Sequence, residues 1–423
     1  MRYRTPCFLL LAPLLSIAVG CASSPLHEAA RDGQWETLRT GLVSEEARAE
    51  LDADAVRALA ETVLAREILE TRDDDARVAI EYVRPCAAAV AGPLEQRAKR
   101  GGKAAASALL ALHEAGLITR GRLAEHIEDD DPALRAVGTR ALVRADDAEL
   151  RRERIADADE RVRIQALAAA MHARDPGDVA HLLEAARLDP SRTARTMALR
   201  AAGALGGPEV AARLRDLWAN ADDADRRTIV EAWATPQTAQ AGGIEQLRRV
   251  VDTKSGAPAI LAAAVLAKTD DVSAARAKTL LARAIETGPH RERILAIRRA
   301  PIGEESILAA LRAAAADSDV SVRIAALGRL TESPDDREGA LTTLASLAEG
   351  GALSAALGLA RAKDPRAVAH LRQGLAADDP DLRSLVGKSL AEAGEYRRAA
   401  ELLGDASAKV RAEVGCALLI SLP

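Results

Sequence analysis

Aromatic side chains are almost missing from this chain: three Trp, three Tyr and one Phe make up 2% of 423 residues. A core built on ring packing is excluded, so Ala, Leu, Val and Ile must fill the interior. Ala and Leu favour helices, whereas strands draw on branched and aromatic residues, and the composition predicts an all-helical protein. Cysteine is scarce too, with four in all. Cys7 and Cys21 lie near the N-terminus. Cys86 and Cys416 are too few and too far apart to read as a disulfide framework. In PCAAAV and GCALLI they read as small buried hydrophobes. Neither sign of charge dominates: 58 Lys and Arg face 63 Asp and Glu, a formal net charge of −5. With no concentrated basic segment, nucleic acid gains no support as a partner.

Chemistry-bearing motifs are equally thin. None of the seven His stands in an H-E-x-x-H frame, and there is no C-x-x-C, calcium loop or G-x-S-x-G. The stretch GGKAAAS (101–107) lacks the first Gly and the Ser or Thr after Lys103 that a phosphate loop needs. The sequence therefore predicts no enzyme, no metal site and no cofactor.

One long apolar run is present. Arg2 and Arg4 precede Phe8–Val19, which is long enough for a signal peptide and short for a membrane span. It ends in IAVGC, which resembles the lipobox of bacterial lipoproteins. That resemblance implies cleavage before Cys21, lipid attachment to its thiol, and a place in the bacterial cell envelope. Ala22 after the Cys implies the outer membrane, facing the periplasm.

What the chain has in abundance is a repeat. Two distant stretches, DDPALRAVGTRAL (130–142) and DDPDLRSLVGKSL (378–390), share one frame. Aligned on its Arg, the frame recurs about every 30 residues at Arg135, Arg163, Arg195, Arg227, Arg293, Arg323, Arg383 and Arg411, with Ala259 and Leu353 in two rungs. An Asp stands six residues earlier at Asp129, Asp157, Asp189, Asp317 and Asp405, and five earlier at Asp222 and Asp378. Each unit reads as two helices joined by a turn, with that Asp capping the second helix. The Arg stem can lie on the Ala-rich seam while its head reaches a turn Asp in its own unit or the next. Stacking repeats that pair as a ladder. Glycine, proline and polar clusters at 234–243, 252–259 and 286–306 read as loops.

DADERVRIQALAAAM (157–171) and DSDVSVRIAALGRL (317–330) resemble the short HEAT-type repeats of the phycobilin-lyase class. The resemblance implies a right-handed α-solenoid of helix pairs and says little about function. SPLHEAARDGQWETLRTGL (24–42) is similar to the opening of an ankyrin repeat, which implies a structural role for His27. The expected organisation is a signal peptide over 1–20, a lipidated N-terminus and ankyrin-like cap over 21–50, and a solenoid over 51–423, with the best repeats in 120–423. Eleven or twelve units would form an arc on the order of 100 Å. Its concave face is expected to hold a protein or peptide while the lipid holds one end at the membrane. A lyase-like enzyme subunit and a purely structural spacer are the alternatives.

Overall fold

The computed structural model describes residues 25–44, 46, 51–253, 255–269 and 272–422. Cys7, Cys21 and the apolar run lie outside the described residues. Two short helices come first, α1 (Pro25–Asp32) and α2 (Trp35–Val43), separated by Gly33, whose φ of 70° turns the chain. Twelve helix pairs follow. They are α3 (Ala53–Leu69) and α4 (Asp73–Val83); α5 (Ala91–Ala98) and α6 (Gly102–Glu114); α7 (Arg120–Ala124) and α8 (Pro132–Thr139); and α9 (Ala148–Ile155) and α10 (Glu160–Ala173). The middle pairs are α11 (Val179–Leu188) and α12 (Arg192–Leu205); α13 (Pro208–Asn220) and α14 (Asp223–Trp233); α15 (Ile244–Thr253) and α16 (Gly256–Leu266); and α17 (Ala274–Thr287) and α18 (His290–Arg299). The last are α19 (Glu305–Ala314) and α20 (Val320–Leu330); α21 (Arg337–Glu349) and α22 (Leu353–Arg361); α23 (Ala367–Leu371) and α24 (Pro380–Glu392); and α25 (Tyr396–Ala399) and α26 (Ala408–Ser421). No strand occurs among the described residues, and the chain is an all-α solenoid. The stretch 286–306, expected as a loop, holds all of α18.

Six of the twelve second helices start in the same way, Asp222 capping α14 among them. Asp131, Asp159, Asp319 and Asp379 accept a backbone N–H of the first turn, and Ser191 does so through its hydroxyl. The buried faces are mainly Ala, Leu, Val and Ile, in keeping with the few aromatics. In α10, for example, Val162, Ala166, Leu167 and Ala170 are fully buried. Small Ala side chains let neighbouring second helices approach closely, and each packs on the next from α4 to α24 and then α26.

The run of second helices does not stop there. α26 packs on α3 and α4, and the turn before it, Ala400–Gly404, packs on α2. The solenoid is closed, and the open arc with a free end expected from the sequence is corrected. Twelve second helices about 9 Å apart make a closed run about 110 Å round. The N-terminal pair does not cap a terminal repeat. α1 lies on α3 and α2 lies on residues 400–404, so the pair straddles the junction of the first and last units. Gly404 makes that fit possible. A Cβ there would stand 2.4 Å from the backbone N of Arg39 and 2.7 Å from its Cα.

Candidate functional site

The repeated Arg side chains have a common posture. Arg163 donates from Nη1 to the carbonyls of Asp157 and Ala158, both at 3.0 Å. Its Nε and Nη2 reach across to the Asp189 carboxylate of the next unit at 2.7 and 3.0 Å. Arg383 copies this, with the carbonyls of Ala377 and Asp378 on one side and Asp405 at 2.7 and 2.9 Å on the other. Arg135 holds the carbonyls of Asp129 and Asp130 and reaches Asp157 at 3.3 Å. Arg293 reaches Asp317 at 2.5 Å. Arg135, Arg163 and Arg383 thus tie their own turn to the turn of the following unit, whereas Arg293 holds the Ile285 carbonyl of α17 at 2.8 Å in place of turn carbonyls.

The turn Asp has a different task from the one expected. The helix cap is two residues further on. Asp129, Asp157, Asp189, Asp317 and Asp405 each accept the backbone N–H of that capping position at 2.8 to 2.9 Å. Capping and ladder pairing are thus divided between two residues, because one carboxylate cannot both close the turn and fill the helix start. Asp378 carries no ladder carboxylate: Ala377 holds the ladder position in its turn, and Asp378 gives only its carbonyl. In α14 the cap is Asp222, so the ladder position falls on Arg226 rather than Arg227, but Arg226 lies 5.6 Å over the Trp218 ring with Asp223 at 3.6 Å. The position that Asp189 holds one unit earlier is filled there by Asn220.

Where the acceptor is absent the ladder is interrupted. Arg323 donates to the carbonyls of Asp317 and Ser318, but the equivalent place in the next turn is Gly350. In α22 the Arg position is Ala356 and the acceptor position ahead is Ala377, so donor and acceptor vanish together. Arg195 keeps its carbonyl partners at Asp189 and Pro190, and reaches past Asn220 to Asp225 at 3.5 Å.

The last rung closes the ring. Arg411 donates to the carbonyls of Asp405 and Ala406 in its own turn, and its Nε and Nη2 meet Glu67 of α3 at 2.8 and 2.6 Å. Both side chains are buried, with Glu67 1% and Arg411 5% exposed. Burial pushes the Glu67 carboxyl up, against the pull of Arg411. The Arg411 guanidinium also lies 4.1 Å over the Trp35 ring of α2. Beside this pair Cys86 and Cys416 form a disulfide across 330 residues. Their burial agrees with the sequence reading, but the reading of two unlinked hydrophobes is corrected. No local spacing announces the pair, because ring closure alone brings them together. Arg57 on the Leu422 carbonyl at 2.9 Å and Arg397 on the Leu51 carbonyl at 2.7 Å complete the seam.

A second row of charge pairs was not read from the sequence. Arg151 of α9, fully buried, donates to Asp178 at 2.7 Å, to Asp175 at 3.2 Å and to the Leu142 carbonyl at 3.1 Å. Arg120 on Asp147 and Arg312 on Asp336 join the first helices of other neighbouring units in the same way. The signal was an acidic turn ahead of a first helix, as in DPGD (175–178), which resembles any solvent-facing turn.

One cavity of about 690 Å³ opens between the fifth and sixth pairs. Leu183 of α11, Leu199 of α12, Leu217 of α13 and Ile229 of α14 form its apolar walls. Asn220, Arg195 and Asp225, the interrupted rung, line it as well. Two of the three Trp sit in this unit, Trp218 and Trp233, with ring centroids 5.3 Å apart. They are far bulkier than the Ala and Leu that fill other units. Among the described residues no group of His, Cys, Asp and Glu is placed to hold a metal ion, and no helix is long and apolar enough to cross a membrane.

Residues 148–234 match the family model for HEAT repeats. Comparison with curated proteins finds no match. Among solved structures the chain is similar to Kap121p at 14% identity and a TM-score of 0.33, covering 88% of this chain and 50% of that one. It is similar to She4p at 12% identity and a TM-score of 0.30, covering 85% and 71%. An engineered protein matches at 16% identity and a TM-score of 0.28, covering 88% and 98%. The chain spans half the length of the Kap121p chain.

Proposed function

We propose that this protein is an exported, lipid-anchored scaffold of the bacterial cell envelope that acts by holding a protein or peptide partner. The observation that carries export is the Cys86–Cys416 disulfide. Disulfides form and persist in oxidising compartments outside the cytosol, and this one agrees with the signal-like N-terminus and its lipobox-like IAVGC. Four residues lead from Cys21 to Pro25 at the start of α1, so a lipid at Cys21 lies within about 15 Å of chain from that helix. Because α1 sits at the seam, the lipid holds the ring by its junction rather than by a free end. The outer membrane, facing the periplasm, is the location the lipobox-like stretch favours.

Repeating helix pairs offer a broad, regular surface, and the structure adds a walled cavity, so binding accounts for more of the molecule than catalysis does. The test is fractionation and capture. Wild-type protein is expected in the membrane fraction and Cys21→Ala in the soluble fraction. Cross-linked capture from membranes is expected to recover one stoichiometric partner. A membrane-bound Cys21→Ala protein overturns the lipid anchor, and the absence of any specific partner overturns the scaffold.

A further inference from the structure

We infer that the second helices α18, α20 and α22 form a docking surface for an extended acidic peptide segment. Its carboxylates meet Arg298 and Arg361, and its backbone crosses α20 at Gly328. The inference rests on the binding reading above and names the chemistry of the partner.

Three observations converge on it. First, a basic residue recurs nine positions after the helix cap, and the next second helix usually supplies its partner. Arg140 donates to His172 at 2.9 Å, Arg200 lies 3.7 Å from Glu231, and Lys388 donates to Glu413 at 2.7 Å. Arg298 of α18 and Arg361 of α22 hold the same position and are exposed. Neither forms a side-chain hydrogen bond or ion pair among the described residues. The next helix offers Arg298 only Gly328 at that position, and offers Arg361 only Lys388, which Glu413 already holds.

Second, the charge of these helices runs against that of the chain. The whole carries a formal net charge of −5, yet α18, α20 and α22 hold seven Arg and a single carboxylate, Glu292. Asp317 takes up Arg293, and Glu332 takes up Arg329. Arg323 is held by carbonyls alone. The unmatched guanidinium groups favour an anionic partner, and clustered Arg is the usual means of recognising an acidic segment.

Third, packing does not ask for glycine at Gly328. In the other second helices Gly138, Gly203, Gly387 and Gly415 are so closely packed that an added Cβ would stand 2.3 to 3.1 Å from a neighbour. A Cβ on Gly328 would meet nothing within 4 Å. Glycine inside a helix is destabilising relative to alanine, and what a bare backbone offers in return is close approach of another chain.

The spacing defines the segment. α20 packs on both α18 and α22, so helices about 9 Å apart separate Arg298 from Arg361 by about 18 Å. An extended chain rises about 3.3 Å per residue and alternates its side chains. Two carboxylates six residues apart therefore lie on one face, about 20 Å from each other.

The test titrates the oxidised full-length protein with acetyl-Asp-Thr-Val-Ser-Val-Thr-Asp-amide at low salt, with heat of binding as the readout. One control peptide carries Asn in place of both Asp. A second, acetyl-Asp-Asp-Thr-Val-Ser-Val-Thr-amide, keeps the charge but sets the two Asp side by side. The spaced peptide is expected to bind about tenfold more tightly than either control, as two exposed ion pairs allow. Arg298→Ser with Arg361→Ser is expected to abolish that preference. Because neither side chain holds anything in the fold, the urea midpoint of this double variant is expected to match that of the wild type. Gly328→Leu, which blocks the crossing, is expected to weaken the spaced peptide markedly. No binding of the spaced peptide, equal affinity for it and either control, a preference that survives the double variant, or undiminished binding to Gly328→Leu overturns the inference. Membrane capture scores the scaffold reading apart. If the double variant still captures the wild-type partner in full, the scaffold stands and this surface falls. If the wild type captures no partner, the scaffold reading falls, and the peptides decide the surface by themselves.

Discussion

Arg411 and Glu67, 344 residues apart, form a buried ion pair in which Glu67 occupies the place that a turn Asp fills elsewhere in the ladder. The acceptor comes from the interior of α3 rather than from a turn, yet the donor keeps the posture of Arg163 and Arg383. Removing either partner leaves a buried charge without compensation, a loss of about 3–5 kcal/mol. Arg411→Ala is expected to lower the denaturant midpoint markedly. Because the double variant leaves no orphaned charge, Glu67→Leu with Arg411→Leu is expected to recover much of the loss. A double-mutant cycle by urea unfolding measures both.

The Cys86–Cys416 bond spans nearly the whole solenoid. Removing it as Cys86→Ser with Cys416→Ser is expected to cost about 2–5 kcal/mol, and reduction of the wild-type protein is expected to match that loss. Thiol titration of denatured, unreduced protein is expected to find neither cysteine free.

Arg163 and Arg323 hold equivalent positions with unequal partners. Arg163→Ala orphans Asp189, whose side chain is 3% exposed, and is expected to cost about 3 kcal/mol or more. Arg323→Ala removes bonds to two carbonyls only and is expected to cost about 1–2 kcal/mol. The ranking of the two midpoints is the check, and equal midpoints would remove the distinction.

Acid is expected to loosen the ladder. Burial pushes Asp189 up, but hydrogen bonds from Arg163 and the Ser191 N–H outweigh it and hold the carboxyl below its ordinary value. The Ser321 hydroxyl and the first-turn N–H groups bring Asp319 down to about 2. The folded state binds these protons less readily than the unfolded state. Their stabilisation is therefore complete above about pH 4 and lost as pH falls below it, toward about 2 for Asp319. Glu67 has the opposite sign. Its raised folded value favours stability below the ordinary glutamate range, and that contribution is lost as pH rises through the folded value. Thermal midpoints are expected to fall below about pH 4, and Glu67→Gln is expected to leave that acid limb in place while flattening the curve above it.

Much of this architecture was legible because it is written locally. The Leu-Arg or Val-Arg pair, the turn Asp six residues before it, and Pro132 or Pro380 at the helix start all lie within one short stretch of chain, although the cap itself proved to be two residues after that Asp. The Arg and Asp positions could therefore be read off the period. The partner of each Arg could not, since stacking alone decides which unit's carboxylate it meets. Glu67 and the two cysteines carry no frame at all. Arg151 and Asp178 were hidden for another reason: charged residues beside a turn usually face water, and only the packed ring shows that this pair does not. The misjudged stretch 286–306 looked like a loop because Gly288 and Pro289 precede α18, where they in fact introduce the helix.

The seam also sets an order of events. Leu64 of α3 lies 3.1 Å from where a Cβ on Gly415 would stand, so an early-made helix is covered by the last one to be made. Until α26 emerges, the first units carry an unsatisfied Glu67, a lone thiol at Cys86 and a bare apolar flank. Emergence of α26, and not the growth of any earlier unit, is then the step that brings the closing contacts. A chain shortened by its last fourteen-residue helix would lose protection at both ends of the sequence at once, and its earliest segments would become the easiest to cleave.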